Sequence, residues 1–241
     1  TFMSLYGLII GITIIIEINY FKKYNSQLSA NKQNKLIIGT LISAILGARI
    51  YHVLDLHSYY SQNPIQILNF PAGGLGIFGA FLSATFYIYI FCRKNKINFF
   101  KLINSFITII PLCQSIGRWA NFINQEGWGI ATNSFLGQIF SPKGFHPVWF
   151  YESILNLCLF LLLSCHKYVR HSESDQSDEE SHKNQTAFYL IGYGSIRFFL
   201  EFLRTDTWQI NSIKIGQILS VLFILTGIFL ITKNHKNHRP S

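Results

Sequence analysis

The sequence predicts an all-α, polytopic integral membrane protein with about seven transmembrane helices. Of its 241 residues, 49% are hydrophobic and only 13% are charged, whereas a soluble domain is typically about 25% charged. The apolar residues gather in long runs that have no polar stripe. So many uniformly apolar helices cannot all be buried in one soluble core of this size, so lipid must cover them.

Seven apolar runs have the length of about 17–25 residues that a bilayer requires. They cover residues 5–21, 36–56, 75–92, 99–116, 148–165, 187–203 and 215–232. The first run has no basic residue before it and no small-residue cleavage pattern after it. We therefore expect it to be a retained helix rather than a signal peptide.

The basic residues predict how the helices are oriented. They follow the first, third, fifth and seventh runs: Lys22, Lys23, Lys32, Lys35; Arg93, Lys94, Lys96, Lys101; Lys167, Arg170, Lys183; and Lys233, Lys236, Arg239. Because loops rich in Lys and Arg stay in the cytoplasm, the N-terminus is predicted outside and the C-terminus inside. The formal charge of +9 then reflects topology, and no nucleic-acid partner is expected.

The chain is predicted to be a single membrane domain over residues 1–241, interrupted by one polar segment. Residues 171–185, HSESDQSDEESHKNQ, hold five of the eleven acidic residues and are predicted to be a disordered cytoplasmic linker between helices five and six. The four cysteines lie in or beside apolar segments without C-x-x-C spacing. We expect buried, reduced thiols rather than a metal site or a disulfide framework.

Charged residues at membrane depth are candidates for function, because each costs roughly 3 kcal/mol unless it is paired or hydrated. Those left after the loop cations and linker acids are removed are Arg49, Arg118, Lys143, Arg197, Arg204, Lys214, Glu17, Asp55, Glu126, Glu152, Glu201 and Asp206. They could be interhelical ion pairs that fix packing. Their gathering toward the outer ends of the helices favours a functional site.

The segment IRFFLEFLR places Arg197, Glu201 and Arg204 on one predicted helical face. Two guanidiniums with one carboxylate predict a net positive site, which attracts an anion. Arginine suits phosphate because its planar fork donates two parallel hydrogen bonds. A phospholipid head group is the expected anion at that depth.

The most informative segment is SIGRWANFINQEGWG, residues 115–129. The apolar helix is predicted to end at Ile116, after which Arg118, Asn121, Asn124 and Glu126 alternate with aromatic residues and glycines. If the helix continued past Gly117, Arg118 and Asn121 would share a face, and the amides could bind ester or glycerol oxygens. Alone, the pattern indicates a polar site at the membrane interface.

GRWANFINQEGWG resembles the signature of the prolipoprotein diacylglyceryl transferases, Gly-Arg-x-x-Asn-Phe-x-Asn-x-Glu-x-x-Gly. The matching residues are Gly117, Arg118, Asn121, Phe122, Asn124, Glu126 and Gly129. Further segments resemble the family in the same order: LYGL at 5–8, GARIYHV at 47–53, GGLGIFGA at 73–80, HPVWFYE at 146–152, YGSIRFFLEFLR at 193–204 and IGQILS at 215–220. The seven-helix, N-outside topology of that family agrees with the one predicted from loop charge.

The resemblance implies transfer of a diacylglyceryl group from phosphatidylglycerol to the lipobox cysteine of a prolipoprotein, at the outer face of the bacterial cytoplasmic membrane. No cofactor and no metal are expected. Predicted catalytic residues are Arg118, Arg197, Glu201 and His146. Predicted substrate-binding residues are Tyr6, Arg49, Gly73, Gly74, Asn121, Asn124, Glu126, Gly129, Tyr151, Glu152 and Arg204. Gly73 and Gly74 have an equally weighted alternative role as a helix-entry turn.

One position departs from the family. Phe78 stands where many members have a histidine proposed as a base, and others a tyrosine. His146, Glu126, Glu152, Tyr6 and His52 are candidate substitutes. The departure keeps open a phospholipid-binding relative without catalysis. A transporter is less favoured, because its charges would lie near the midplane between repeated halves.

Overall fold

A computed structural model describes residues 2–25, 28–70, 73–74, 76–141, 144–173, 184–205, 207, 209–210 and 213–236. Within these ranges the chain is helical, apart from its connecting loops, two isolated β-bridges and one hairpin of two-residue strands. The hairpin pairs β1 (Gln209–Ile210) with β2 (Ile213–Lys214) in antiparallel register. The all-α prediction is confirmed.

Ten α-helices lie in the described ranges, and every predicted apolar run overlaps at least one of them. They are α1 (Phe2–Tyr24), α2 (Ala30–Asp55), α3 (His57–Gln62), α4 (Ile77–Asn95), α5 (Phe99–Phe106), α6 (Ile110–Ile123), α7 (Phe135–Phe140), α8 (Val148–Glu173), α9 (Gln185–Leu203) and α10 (Ile215–Lys236). Two 3-10 turns, Pro64–Leu68 and Ile107–Ile109, also occur.

Five described segments are long and apolar enough to cross a membrane. They are Leu5–Tyr24, Ala30–Asp55, Phe99–Ile123, Val148–His166 and Ile215–Lys233. The chain is therefore a multi-pass helical membrane protein. The other two predicted runs coincide with α4 and α9, which have 19 residues each.

The fourth apolar run does not end where the sequence suggested. Pro111 interrupts it early, because proline lacks an N–H and its ring crowds the carbonyl four residues before it. The 3-10 turn Ile107–Ile109 lies at this interruption, between α5 and α6. The predicted end at Ile116 was wrong: α6 continues to Ile123, because a lone glycine such as Gly117 costs a helix only about 1 kcal/mol.

Residues 25–102 form one compact unit, in which α2 packs against α4. Small residues bring the two backbones close. Ser43 Oγ donates to the Ser83 carbonyl at 2.9 Å, and Ser83 Oγ donates to the Ser43 carbonyl at 2.8 Å. A Cβ on Gly79 would overlap the Gly47 carbonyl, so this contact has the small-residue character common between membrane helices.

Residues 1–24 and 103–241 form the second unit. Here α1 packs on α6, α6 on α8, α8 on α9, and α9 on α10. Trp149, 1% exposed, lies at its core against Trp119, Phe122 and Phe140. The first turn of α9 is capped by Asn104, whose Oδ1 accepts from the Thr186 N–H at 2.9 Å.

The predicted disordered linker, residues 171–185, falls mostly outside the described residues. Residues 171–173 end α8, 174–183 lie outside the described residues, and Gln185 opens α9, so the disordered linker stays a prediction.

All four cysteines are free thiols. Burial was wrong for Cys158 and Cys165, which are exposed on the same α8 stripe as Ile154, Leu161 and Leu162.

Candidate active site at the paired arginines

Three helices of the second unit bring four charged side chains together. Arg118 of α6 donates from Nη2 to Glu152 Oε1 of α8 at 2.6 Å. Arg197 of α9 donates from Nη1 to Glu152 Oε2 at 3.3 Å and from Nη2 to Glu201 Oε2 at 2.9 Å. We call these four residues the arginine–glutamate cluster. Glu152 joins its two arginines.

The four residues of the cluster balance in charge, but the Lys214 ammonium lies next to them and donates to the Glu201 carbonyl at 2.6 Å, so the predicted net positive charge of the site stays a prediction. Two guanidiniums meet two carboxylates, because Glu152 joins from a helix that the pattern in α9 could not reveal. Arg204 directly follows the last residue of α9, and its ψ of 141° ends the helix there. That it shares the face of Arg197 and Glu201 stays a prediction.

Burial differs between the acids and the bases of the cluster. The side chains of Glu152 and Glu201 are 1% and 2% exposed, against 26% for Arg118 and 18% for Arg197. A guanidinium carries five N–H donors. Within the described ranges Arg197 uses two of them, and Arg118 contacts only Asn121, Glu152 and Tyr193. Both arginines thus keep N–H donors on their exposed sides.

The signature segment continues from Arg118 into a polar turn. Arg118 Nη1 lies 3.4 Å from Asn121 Oδ1, and both amides, Asn121 Nδ2 and Asn124 Nδ2, lie 3.5 Å from the Glu126 carboxylate. These distances are at the limit of hydrogen bonding, so the side chains are close but loosely held. The conditional prediction that Arg118 and Asn121 share a face is confirmed.

Gly129 has a close-packing role that the sequence did not reveal. It forms an isolated β-bridge with Arg204, and its N–H donates to the His146 carbonyl at 2.8 Å. A Cβ there would lie 2.6 Å from the Leu203 carbonyl oxygen and 2.8 Å from Val148 Cγ2. Glycine therefore lets the loop after α6 pass between the end of α9 and the start of α8.

His146 and Tyr151 form a pair at the start of α8. His146 Nδ1 lies 3.2 Å from the Tyr151 hydroxyl, and which group donates depends on the imidazole tautomer. Both residues are half-buried. The pair combines a titratable ring with a hydroxyl in the same unit as the arginine–glutamate cluster.

Arg49, in the other unit, is held quite differently. Its five N–H groups donate to the backbone carbonyls of Gln66, Ile67, Asn69, Gly73 and Gly74. Its guanidinium also lies 5.3 Å from the Tyr60 ring and 5.6 Å from the Phe70 ring. In this arrangement Arg49 offers a ligand no unoccupied N–H.

The two predicted glycines, Gly73 and Gly74, lie in the loop that Arg49 holds. Their φ angles are 84° and 75°, a left-handed region that favours glycine. A Cβ on Gly74 would lie 2.5 Å from His52 Nε2 and 2.8 Å from Arg49 Nη1. This geometry fits the helix-entry turn, and a role in lipid binding stays a prediction.

Comparison with known proteins identifies the family. The sequence model of the prolipoprotein diacylglyceryl transferase family matches residues 2–233. The chain belongs to this family. Three relatives carry the name phosphatidylglycerol–prolipoprotein diacylglyceryl transferase. The Finegoldia magna protein is 34% identical over 95% of this chain and 88% of its own length, the Clostridium novyi protein 34% over 98% and 93%, and the Bacillus mycoides protein 32% over 95% and 87%.

Within this family member, Phe78 is the second residue of α4, is 47% exposed and lies 6.1 Å from the Tyr51 ring. Of its candidate substitutes, Tyr6 is half-buried in α1 and His52 lies 5.8 Å from the Tyr60 ring. Lys143 and Asp206 lie outside the described residues.

The sequence analysis missed two contacts at the cluster. Tyr193 contacts Arg118 through its hydroxyl. Its position four residues before Arg197, on the same helical face, was a signal that could have revealed it. Lys214 donates from Nζ to the carbonyls of Glu201 at 2.6 Å and Arg204 at 2.8 Å. Nothing in the sequence predicted that contact.

Proposed function

We propose that this chain transfers the diacylglyceryl group of phosphatidylglycerol to the lipobox cysteine of prolipoproteins and releases glycerol phosphate. One observation carries the proposal beyond family membership. Arg118 and Arg197 come from different helices onto one buried carboxylate, 2.6 and 3.3 Å away. Two guanidiniums with unused donors on neighbouring helices suit a phosphodiester.

The proposed membrane arrangement has seven spans, with the N-terminus outside and the site toward the outer leaflet of the bacterial cytoplasmic membrane. It adds α4 and α9 to the five apolar segments. Their 19 residues extend about 28 Å at 1.5 Å per residue, close to the thickness of the hydrocarbon core. The basic segments after α1, α4, α8 and α10 support this orientation.

In the proposed reaction the arginines bind the phosphate through the N–H groups that their glutamates do not occupy. Glu152 acts by holding both guanidiniums at one position, and Glu201 orients Arg197. A balanced cluster accepts a phosphodiester at the cost of one added negative charge. That charge is screened by donors already aimed at the site, which is how preorganised sites stabilise anions.

The nucleophile belongs to the protein substrate, so no cysteine or serine of this chain is needed. A free thiol has a pKa near 8.5 and is mostly protonated at neutral pH, so its proton must be taken up. His146, hydrogen-bonded to Tyr151, is the proposed acceptor. The thiolate then attacks the glyceryl carbon, the carbon–oxygen bond breaks, and the electron pair leaves on the phosphate oxygen beside the arginines.

Asn121, Asn124 and Glu126 are proposed to bind the glycerol head group. The Asn121 amide lies 3.4 Å from Arg118, and the three side chains are only loosely bonded to one another. Glycerol hydroxyls can replace such long bonds at little cost, because each hydroxyl both donates and accepts. This places the head group beside the phosphate that Arg118 binds.

The test is transfer to a lipobox precursor in vesicles containing phosphatidylglycerol. Arg118→Ala and Arg197→Ala should each lower kcat/KM at least about 100-fold, the scale of losing a charged contact to a developing anion. Arg93→Ala, which removes an exposed arginine at the end of α4, is the matched control and should transfer normally. Undiminished transfer by either cluster variant would exclude the phosphate role.

Phe78 favours a second function, a phospholipid-binding relative without catalysis. Phenylalanine cannot move a proton, so Phe78→His restores the group that many family members carry. If the wild-type chain transfers lipid and complements a bacterial strain depleted of its own transferase, the second function is excluded. Transfer seen only in the Phe78→His variant would establish it.

A further inference from the structure

The carboxylate of Glu201 occupies a space that exists because residue 216 is glycine. A Cβ on Gly216 would lie 2.5 Å from Glu201 Cδ and 2.7 Å from Glu201 Oε2. Distances this short are not tolerated between nonbonded atoms, so one group would have to move. The Glu201 side chain is 2% exposed, so its carboxylate cannot move away without displacing the groups that cover it.

The same carboxylate sets the position of Arg197. Oε1 is the carboxylate atom that would lie nearest a Cβ on Gly216, and Oε2 of the same rigid carboxylate is the acceptor of the 2.9 Å bond from Arg197 Nη2. Displacing it lengthens or re-aims that bond. Because Arg197 also binds Glu152, the displacement reaches the junction of the arginine–glutamate cluster.

Lys214 holds Glu201 from the backbone side. Its ammonium donates to the Glu201 carbonyl at 2.6 Å and to the Arg204 carbonyl at 2.8 Å, so it satisfies carbonyls that the end of α9 leaves without helical partners. Lys214, the last residue of β2, and Gly216, the second residue of α10, therefore both lie against Glu201. The first turn of α10 contains no acidic residue, and the Glu201 carboxylate supplies negative charge at that positive helix end.

We propose that Gly216 is a positioning residue for the lipid-transfer reaction, which keeps the Glu201 carboxylate in line with Arg197. It acts through Glu201 and touches no reacting atom. The effect on transfer rests on the proposed function, whereas the effect on Glu201 follows from the contacts alone. Alanine at 216 should leave the fold intact and misplace one arginine.

Gly227 provides a matched control on the same pair of helices. A Cβ there would lie 2.7 Å from Ile191 Cγ1 and 2.8 Å from the Ala187 carbonyl, so Gly227→Ala also overpacks the contact between α9 and α10. Gly227 lies eleven residues, about three turns, from Gly216. It contacts no member of the cluster in the described structure.

The experiment measures both transfer and thermal unfolding. The single variants are Gly216→Ala, Gly227→Ala, Glu201→Asp and Glu201→Ala. Two double variants combine Gly216→Ala with each of the Glu201 substitutions. Gly216→Ala should raise KM for phosphatidylglycerol and lower kcat/KM about tenfold or more. Gly227→Ala should retain the wild-type rate per folded molecule. In the Glu201→Asp background, where the carboxylate is one methylene shorter, adding Gly216→Ala should cost less than threefold, because non-additivity reveals the shared contact.

Thermal unfolding needs no substrate and separates this inference from the proposed function. Gly216→Ala should lower Tm by about 5 °C in the wild type and by much less in Glu201→Ala, where the clash is gone. Equal Tm losses in both backgrounds, or normal kcat/KM in Gly216→Ala, would overturn the positioning role. A wild-type chain without transfer activity would refute the proposed function, while the Tm cycle would still decide the role of Gly216.

Discussion

Arg49 and the pair Arg118 and Arg197 all lie in long, largely apolar helices, yet their surroundings differ. Arg49 gives all five N–H groups to backbone carbonyls and is 4% exposed. Arg118 and Arg197 bind carboxylates and keep donors unoccupied on a surface that is 26% and 18% exposed. The residue type thus does not reveal whether an arginine holds a loop or a ligand. The number of occupied donors distinguishes the two surroundings, because only the second leaves N–H groups available to a ligand.

Removing the carboxylate that joins the pair should have the largest effect. Glu152→Ala leaves two guanidiniums beside a buried space, and breaking a buried ion pair from one side costs about 3–5 kcal/mol. Unfolding in denaturant should show this loss, and transfer should fall below detection. The isosteric Glu152→Gln keeps the volume and one acceptor oxygen but loses the charge, so it should lose less stability than Glu152→Ala and still be clearly destabilised. Wild-type stability in Glu152→Gln would mean that Glu152 does not hold the arginines by charge.

Replacing Arg49 by lysine tests whether the two arginine environments have different roles. Lysine has three donors in place of five, so at least two of the five carbonyls lose their partners, at about 0.5–1.5 kcal/mol for each hydrogen bond lost. Amide hydrogen exchange across residues 63–70 should accelerate in Arg49→Lys. The matched change Arg118→Lys should leave that exchange unchanged and lower transfer, and the reverse pattern would contradict the comparison.

Substitutions at two glycines of the signature segment should change stability by a smaller amount. Gly129→Ala meets the Leu203 carbonyl and Val148, and overpacking of this kind costs about 1–3 kcal/mol. Gly117→Ala meets nothing within 4 Å, so it should be neutral or add up to about 1 kcal/mol of helix stability. Thermal unfolding of both variants measures the difference. Equal losses would mean that the loop does not pass where Gly129 places it.

The smallest expected effect is stabilisation by the proposed product. Glycerol phosphate at ten times its Kd should stabilise the folded chain by about 1.4 kcal/mol, or about 3–6 °C in Tm for a chain of this size. Arg49→Lys should keep this shift and Arg118→Ala should lose it. A shift that survives in Arg118→Ala would place the anion elsewhere.

The sequence predicted the helices well and the contacts between them poorly. Apolar length is a property of one segment, so α1, α2, α8 and α10 were found within a few residues of their observed starts or ends, apart from the extension of α8. The end of α6 was missed because it is set by the left-handed backbone at Gln125 and Gly127, at φ 58° and 73°, and not by Gly117.

The charge of the site could not be read from α9 alone. Arg197 and Glu201 are one turn apart, so their pairing was predictable. Glu152 is 45 residues before Arg197 along the chain, and no local pattern indicates that its carboxylate lies between two arginines. The same reason hid the five carbonyls around Arg49, which depend on how the loop after α2 folds back.

The exposed stripe of α8 carries two native thiols that can be spin-labelled to measure the depth of this helix in the bilayer. Cys158 and Cys165 are both exposed and free, and seven residues of helix separate them by about 10 Å along the axis. Cys158 lies six residues, about 9 Å, beyond Glu152 on the same helix. Nitroxides attached at these two positions would measure where the arginine–glutamate cluster lies relative to the bilayer surface, without altering a single residue of it.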